Sequence, residues 1–382
     1  NNAVIDQSVF GGGKGSDEYT PKVYGNVTVT INNGNIGNVF GGNDAAGSPS
    51  NNDIVYLNGG IIGNAFGGGN ETGQTNTNIY LQGATVTKLF GGSNQSGTVS
   101  ESNVYMNSGT ADYVYGGNNS GGTTQSTNVT INGGTVNQDV YGGGSLADSN
   151  STRLQLGYAT LNNVYAGGEQ ASATTTQTTV RGATIQNLFG GSNIDGTVNR
   201  ASIQMTNGTI GNIYGGNNLG GSSSDATVMV DNGQIGTIYG GGNRASSETS
   251  TILINRGTID NIFGGGNEAG LETATININR GTIGNIYGGS NQSGDIDTTY
   301  ITVQYSTSTT VDNIFGGNNM GGVTTNSNVY VYGGTTGNVY GGGNEAEVTN
   351  PMVQVQNATV NNVFGGGNMA KITTNTSVTI TN

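Results

Sequence analysis

Two glycine-rich segments could bind phosphate, because backbone N–H groups in such loops can surround an anion. The segment "GGGKGS" at 11–16 is the nearer match to a phosphate-binding loop, but Ser8 stands where the pattern needs its first glycine. Gly15 stands where the pattern needs Ser or Thr. The second segment, "NIFGGGNEAG" at 261–270, suits a binding loop or a structural turn equally well when taken alone. We therefore expect no phosphate site at 11–16, and the recurrence of the second segment along the chain favours a structural turn at 261–270.

Pairs of acidic residues are the other candidates for chemistry. Glycoside hydrolysis needs two carboxylates about 5 to 10 Å apart with separated pKa values. Asp295 with Asp297 and Asp225 with Asp231 are close in sequence, but no His accompanies them. We expect solvated carboxylates at these positions and no catalytic residues. The chain is therefore predicted not to be an enzyme and to need no cofactor.

Composition removes further classes of chemistry. Among 382 residues there is no Cys, His or Trp, which excludes thiolate and imidazole metal sites, disulfides and His-activated nucleophiles. The net charge of −13, with only ten Lys and Arg, argues against nucleic acid as a partner. There is no apolar run of 18 residues, so we expect no membrane span. The start "NNAVIDQSVF" lacks a signal peptide and an initiator Met, which suggests a processed product or an excerpt.

A repeat of about 25 residues organises the chain. The "NIFGGGN" motif recurs fifteen times, and its aromatic residue occupies positions Phe10, Phe40, Phe66, Phe90, Tyr115, Tyr141, Tyr165, Phe189, Tyr214, Tyr239, Phe263, Tyr287, Phe315, Tyr340 and Phe364. The first interval, of 30 residues, holds an insertion near 14–26, and the interval from 287 to 315 is also long. A fixed period of this length is typical of a solenoid.

Each repeat contains two strand patterns. Alternating segments such as "VTVTI" (27–31) and "NVYVY" (328–332) predict half-buried strands with Val29, Ile31, Val329 and Val331 inward. The pattern "GTIxN[VI][FY]GG" predicts two further short strands with a bend between them. No segment has helical periodicity, so we predict an all-β fold: a right-handed parallel β-helix of about fifteen coils.

The repeat also predicts the domain organisation. Residues 1–382 form a single β-solenoid, in which 1–85 are the first coils and 86–382 are three tandem four-coil blocks. The blocks follow the residue three after the aromatic, which reads Ser93, Asn118, Gly144, Gly168 and then repeats this order twice. Duplication of a four-coil block explains the pattern without selection for function.

Positions that recur in every coil form columns along a solenoid. The residue before the aromatic is Val, Ile or Leu in every unit except one, where it is Ala65. This position should therefore lie in the core. The aromatic column favours rings stacked on each other, and the alternative is an exposed rail that binds sugars. Asn four residues after the aromatic, as in Asn70 and Asn267, predicts a ladder of side-chain amides. Ca²⁺ at these Asn residues with neighbouring carboxylates is a weaker alternative, so metal binding stays open.

One column of the alternating strand should face outward. Its residues are varied, which argues against a regular Thr array that binds ice. It includes Tyr56, Tyr80, Tyr105 and Tyr330, which could contact surface glycans. The alternative function is therefore a carbohydrate-binding or phage-fibre-like recognition module that uses these outward Tyr and Thr residues.

Units such as "GTIGNIYGGGN" resemble the repeats of secreted or cell-surface, adhesin-like right-handed parallel β-helix proteins of bacteria or archaea. The resemblance implies an extracellular or cell-surface location and a role in attachment or coat formation. It assigns no site residue. Neither end of the sequence looks capped, since it ends on the strand pattern "SVTITN" and begins with a partial coil. We expect a non-enzymatic structural protein that is either a subunit stacking head to tail with itself or a segment of a longer array forming an adhesin stalk.

Overall fold

The computed structural model describes residues 3–47, 49 and 51–382. They form 27 β-strands and no helix, so none of them belongs to a helix that could cross a membrane. The chain divides into two compact units. The first unit comprises Asn1–Gln186 with Ser192–Val198, and the second comprises Asn187–Gly191 with Asn199–Asn382.

The strands are short, and most coils contribute two of them. In chain order they are β1 (Val4–Phe10), β2 (Val27–Ile31), β3 (Asn35–Phe40), β4 (Asn52–Leu57), β5 (Ile61–Phe66), β6 (Gln74–Phe90), β7 (Thr98–Tyr115), β8 (Thr123–Ile131), β9 (Thr135–Val136), β10 (Asp139–Tyr141), β11 (Ser149–Leu156), β12 (Thr160–Tyr165), β13 (Ala173–Phe189), β14 (Thr197–Tyr214), β15 (Ser222–Val230), β16 (Gln234–Tyr239), β17 (Ser246–Ile254), β18 (Thr258–Phe263), β19 (Leu271–Ile278), β20 (Gly281–Tyr287), β21 (Ile296–Val303), β22 (Thr309–Phe315), β23 (Thr324–Val331), β24 (Thr335–Tyr340), β25 (Val348–Gln356), β26 (Thr359–Phe364) and β27 (Ser377–Thr381).

Each unit consists of two parallel ladders. In the first unit one ladder joins β2, β4, β6, β7, β8, β11 and β13. The other joins β1, β3, β5, β6, β7, the pair β9 and β10, and β12. In the second unit the odd-numbered strands β15 to β27 form one ladder and the even-numbered strands β14 to β26 form the other. The predicted all-β parallel solenoid is confirmed, with about 14 turns.

The register places identical positions of successive repeats on top of each other. Ile252 pairs with Ile276, and the two residues beside it, Thr251 and Leu253, face outward as the period-2 alternation requires. The core is narrow, and inward aliphatic residues of both ladders fill it; Ile252, Ile254, Ile259 and Ile262 are all fully buried. Burial of each such side chain contributes about 1.5 to 3 kcal/mol, so stability accumulates coil by coil.

The prediction of two short strands in "GTIxN[VI][FY]GG" was wrong for most coils. The structure has a single strand there, as in β18. Two consecutive residues of this strand, Ile262 and Phe263, are both buried, which a straight strand with alternating sides would not allow. Pairing skips Asp260, so the strand bends at this residue without ending. The bend needs no break because hydrogen bonds to the coils on both sides hold the backbone extended. Two separate strands occur in one coil of the first unit, as β9 and β10.

The glycine pair after the aromatic forms a corner that continues the ladder. Gly264 N donates to the carbonyl oxygen of Tyr287 at 2.9 Å, and Gly265 N donates to that of Gly289 at 3.0 Å. A Cβ on Gly264 would collide with the carbonyl oxygen of Gly288 in the next coil. The close approach of two backbones therefore favours glycine at Gly264, although Ala166 occupies the equivalent position in one coil of the first unit.

The variable position three residues after the aromatic is buried and bonds one coil to the next. Asn118 is fully buried, and its Oδ1 accepts a hydrogen bond from the backbone N of Ser93, one coil earlier, at 2.9 Å. Its Nδ2 donates to the carbonyl oxygens of Gly97 and Gly121. Asn318 bonds the backbone N of Ser290 in the same way. The repeating order of Ser and Asn therefore has a structural consequence inside the corner.

Sequence reasoning missed a buried column of Ser and Thr in the odd ladder and its first-unit counterpart. Thr77, Thr127 and Ser327 each donate a hydroxyl hydrogen bond of 2.6 Å to the first corner glycine of their own coil. These bonds satisfy carbonyl oxygens that the backbone ladder leaves without a donor. The column lies two residues before an inward aliphatic, so alternation predicted an inward side chain but did not reveal its acceptor.

Candidate functional site

The aromatic residues stack on each other in both units. Ring centroids of successive coils lie 4.5 to 5.1 Å apart with interplanar angles of at most 12°. The predicted stack is thereby confirmed. Each ring inside the stack covers the faces of its neighbours and presents only an edge to solvent, whereas Phe364 at the end of the second unit is 44% exposed. Because a sugar ring binds to the face of an aromatic ring, the stack is unsuited to the sugar-binding rail that was the alternative.

Side-chain amides form a ladder on each side of the aromatic column. Four residues after the aromatic, Asn267 Nδ2 donates to Asn243 Oδ1 at 3.0 Å, and Asn291 Nδ2 donates to Asn267 Oδ1 at 2.9 Å. Two residues before the aromatic, Asn285 donates to Asn261 at 3.0 Å. The predicted Asn ladder is confirmed, and a second ladder accompanies it.

The two amide ladders and the ring edges enclose a shallow groove. In the first unit it has a volume of about 640 Å³, with Phe10, Phe40, Phe66 and Phe90 at its floor. Asp44 takes the place of an Asn in this ladder, and its Oδ1 accepts a hydrogen bond from Asn70 Nδ2 at 2.9 Å.

Both ladders change composition in the middle of the first unit. Tyr115 Oη donates to Glu169 Oε2 at 3.0 Å, and Tyr141 Oη donates to Asp139 Oδ2 at 3.1 Å. Ser145 Oγ donates to the same Glu169 oxygen at 2.8 Å. Burial raises the pKa of both phenols, and the charges of Glu169 and Asp139 raise them further. Both tyrosines therefore stay protonated at neutral pH and act as donors, so they replace the amide bonds of the ladder.

The acidic residues considered for catalysis are hydrogen-bond acceptors between coils. Asp231 accepts from Gln204 at 2.8 Å and from Asn255 at 2.7 Å. Asp225 lies 3.8 Å from Arg200, and Asp295 accepts from the backbone N of Val323. The carbonyl oxygen of Asp297 accepts from Asn326. The structure therefore gives each of these positions a bonding role between coils.

Metal coordination was left open by the sequence. Within residues 3–47, 49 and 51–382, no three residues of the types His, Cys, Asp and Glu come together as a cation site. The Asn oxygens of the ladder accept hydrogen bonds from the following coil, as Asn267 does from Asn291. These are the oxygens that the Ca²⁺ alternative would require as ligands.

The outward tyrosines also stack. Tyr56, Tyr80 and Tyr105 lie one above the other in the first unit, with centroids 4.9 and 4.8 Å apart. In the second unit Tyr330 lies 5.9 Å from Tyr332. They face outward as predicted. Tyr80 has a ring stacked on each of its faces, whereas among the described residues Tyr56 and Tyr105 have a stacked ring on one face only.

A cleft in the second unit was not anticipated from the sequence. It has a volume of about 790 Å³ and lies at the turns that connect the odd and even ladders. Arg256 and Arg280 line it in successive coils, each in the sequence "NRGTI". The recurrence of this pentapeptide in an acidic chain was the signal that could have identified the cleft.

These features define a parallel β-solenoid whose side-chain columns bond each coil to the next. Comparisons of the chain with protein-family models, with curated proteins and with solved structures gave no match.

Proposed function

We propose that the protein is a non-enzymatic structural component outside the cell, either a subunit of a head-to-tail fibre or a segment of an adhesin stalk. The observation that carries this proposal is a continuous column of side-chain amides that are hydrogen-bonded from coil to coil. In the second unit, seven successive Asn residues from Asn218 to Asn368 are hydrogen-bonded to each other. A column whose donors and acceptors are engaged between coils supports elongation and rigidity.

Exposed apolar side chains at the last strand support stacking. Strand β27 pairs with β25, and its inward-column residues Val378 and Ile380 are 44% and 62% exposed. The same columns are buried in the preceding coil at Val353 and Val355. One more coil on β27 would cover both side chains. A second copy of the chain or a continuation of the array would each supply such a coil.

Electron microscopy and sedimentation of the 382-residue polypeptide test the proposal. We expect concentration-dependent association that is lost in a Val378→Lys, Ile380→Lys variant, since charges would then occupy the stacking surface. Thr379→Lys is the matched control, because Thr379 belongs to the outward column. Dispersed particles of monomer mass at all concentrations would exclude the head-to-tail fibre. Hydrolytic activity on a polysaccharide would exclude the structural role as a whole.

A further inference from the structure

The cleft lined by Arg256 and Arg280 combines two cationic side chains with polar ones. It has a volume of about 790 Å³, and besides the arginines it is lined by Gln234, Thr258 and Thr282. Lining residues also include glycines with positive φ, which bring the backbone to the surface. No carboxylate of the described residues lines this space, which we call the arginine cleft. Its surface is therefore cationic and rich in hydrogen-bonding groups.

The two arginines repeat at one-coil spacing. Thr258 pairs with Thr282, so Arg256 and Arg280, two residues earlier in each case, occupy equivalent positions about 4.8 Å apart along the ladder. The chain carries 23 acidic and 10 basic residues. Despite this excess of carboxylates, the ion pairs of the described residues do not include Arg256 or Arg280. They involve Arg200, Arg244 and Lys371. Two exposed cations in adjacent positions repel each other, and an anion bound between them would remove that repulsion.

The carboxylate of Asp231, on one of these turns, is already hydrogen-bonded to other side chains. Asp231 lies one position before Asn232, which lines the cleft. Both of its oxygens accept hydrogen bonds, one from Gln204 and one from Asn255. The guanidinium groups of Arg256 and Arg280 are consequently available to a ligand.

An exposed aromatic pair adjoins the arginine cleft. A neighbouring cleft of about 630 Å³ shares Arg280 and is lined by Tyr305 and Tyr332. Tyr305 is 61% exposed and stacks on Tyr332 with a centroid distance of 5.4 Å. The extra residues of the long interval between 287 and 315 include this tyrosine. An aromatic surface therefore lies beside the cationic one.

We propose that the arginine cleft binds an anionic polysaccharide. Carboxylate or sulfate groups of the polymer would contact Arg256 and Arg280, because guanidinium groups bind such anions through paired hydrogen bonds. Sugar hydroxyls would bond Gln234, Thr258 and Thr282, and a sugar ring would lie against Tyr305. A nucleic acid carries a charge at every nucleotide and needs more cations than two, whereas neutral hydroxyls between spaced charges match this lining. A purely structural coil needs none of these groups, so the proposal goes beyond the structural role.

Direct binding measurements test the site. Fluorescein-labelled polygalacturonate and heparin serve as carboxylate and sulfate probes, and neutral dextran and polyglutamate serve as controls, with fluorescence anisotropy as the readout. The intact chain is expected to bind at least one of the two acidic polysaccharides and not dextran, with affinity falling as salt rises. Binding of polygalacturonate alone would identify carboxylate as the recognised group, and binding of heparin alone would identify sulfate.

Matched variants assign the binding to the cleft. Arg256→Gln with Arg280→Gln is expected to weaken binding at least about tenfold, since each charged hydrogen bond contributes of the order of a tenfold change in affinity. The control is Arg181→Gln, which should leave the affinity unchanged. Arg181 is an exposed arginine of the first unit that, like Arg256 and Arg280, precedes a glycine with positive φ. Tyr305→Asn should weaken binding, whereas Tyr158→Asn, at another exposed tyrosine, should not. Circular dichroism confirms folding of each variant.

Several outcomes would overturn the proposal. Absence of binding to both acidic polysaccharides, or tighter binding of polyglutamate than of either, would exclude an anionic polysaccharide as the ligand. An equal loss with Arg181→Gln would show that overall charge, and not the cleft, attracts the polymer. Fibre formation is measured separately through Val378 and Ile380, so failure of one proposal leaves the other intact.

Discussion

Asn267 Nδ2 donates a hydrogen bond of 3.0 Å to Asn243 Oδ1, although 24 residues separate the two along the chain. Asn267 Oδ1 in turn accepts from Asn291 Nδ2 at 2.9 Å. One side chain therefore links three coils. The relationship shows how a sequence poor in apolar residues is held in a single register, since a shift by one residue would break every rung.

We predict that Asn267→Ala destabilises the second unit by about 1 to 2 kcal/mol. The substitution removes the two ladder hydrogen bonds and a longer one from Gln292, and it leaves Asn243 Oδ1 and Asn291 Nδ2 without these partners, while partial access to water limits the cost. Urea unfolding followed by circular dichroism measures the effect. Asn277→Ala, at an outward position of the same region, is the control and should change the midpoint little. Equal midpoints for the two variants would contradict a stabilising ladder.

We predict a larger loss of stability for Gly264→Ala, of about 2 to 3 kcal/mol. The new Cβ would collide with the carbonyl oxygen of Gly288 and lie 2.9 Å from Ala274 Cβ, so two coils would have to separate at the corner. Gly25→Ala provides the comparison, because a Cβ on Gly25 meets no atom within 4 Å. Thermal unfolding is the measurement, and a stable Gly264→Ala variant would show that the corner can relax.

The phenol groups of the first unit give a third prediction. Tyr141→Phe keeps the stacked ring but removes the hydrogen bonds to Asp139 and from Asn193, so we expect a loss of about 1 kcal/mol. Tyr340→Phe changes the same column in the second unit and should be close to neutral, since Phe already occupies this position in other coils. If the two variants have equal stability in urea, the bonds around Asp139 do not stabilise the fold.

Periodicity was enough to predict the fold and the two main columns. Ile252 and Ile254 follow period-2 alternation, and the Asn column recurs at a fixed distance from the aromatic, so each residue type indicates its environment. The pairing of Ser93 with Asn118 could not be predicted, because the direction of a side chain at a tight corner depends on backbone geometry. The arginine cleft was missed for a related reason: Arg256 and Arg280 become neighbours only when the coils stack in register.

A buried carboxyl group in the first unit leads to the last prediction. Asp53 pairs in register with Thr77 and therefore belongs to the buried Ser and Thr column. In that column Thr77 donates a hydroxyl hydrogen bond to the carbonyl oxygen of a corner glycine. Asp53 is fully buried, and neither carboxylate oxygen has a hydrogen-bond partner among the described residues. Burial raises the pKa of Asp53 from 3.8 to about 8. The folded chain therefore retains a proton at neutral pH that the unfolded chain releases.

The pH dependence of stability follows from this difference. The contribution of Asp53 is complete below about pH 4 and is lost as pH rises to about 8, at a rate of about 1.4 kcal/mol per pH unit in that window, with no further change above it. Urea unfolding of the wild type between pH 5 and 9 should show this decline. Asp53→Thr, which copies Thr77, should abolish the decline and stabilise the protein at pH 8, whereas Asp17→Asn, at an exposed aspartate, should retain it. If wild type and Asp53→Thr lose stability in parallel over this range, Asp53 is ionised in the folded chain, and the buried carboxyl must then be bonded to a group that supplies compensating charge.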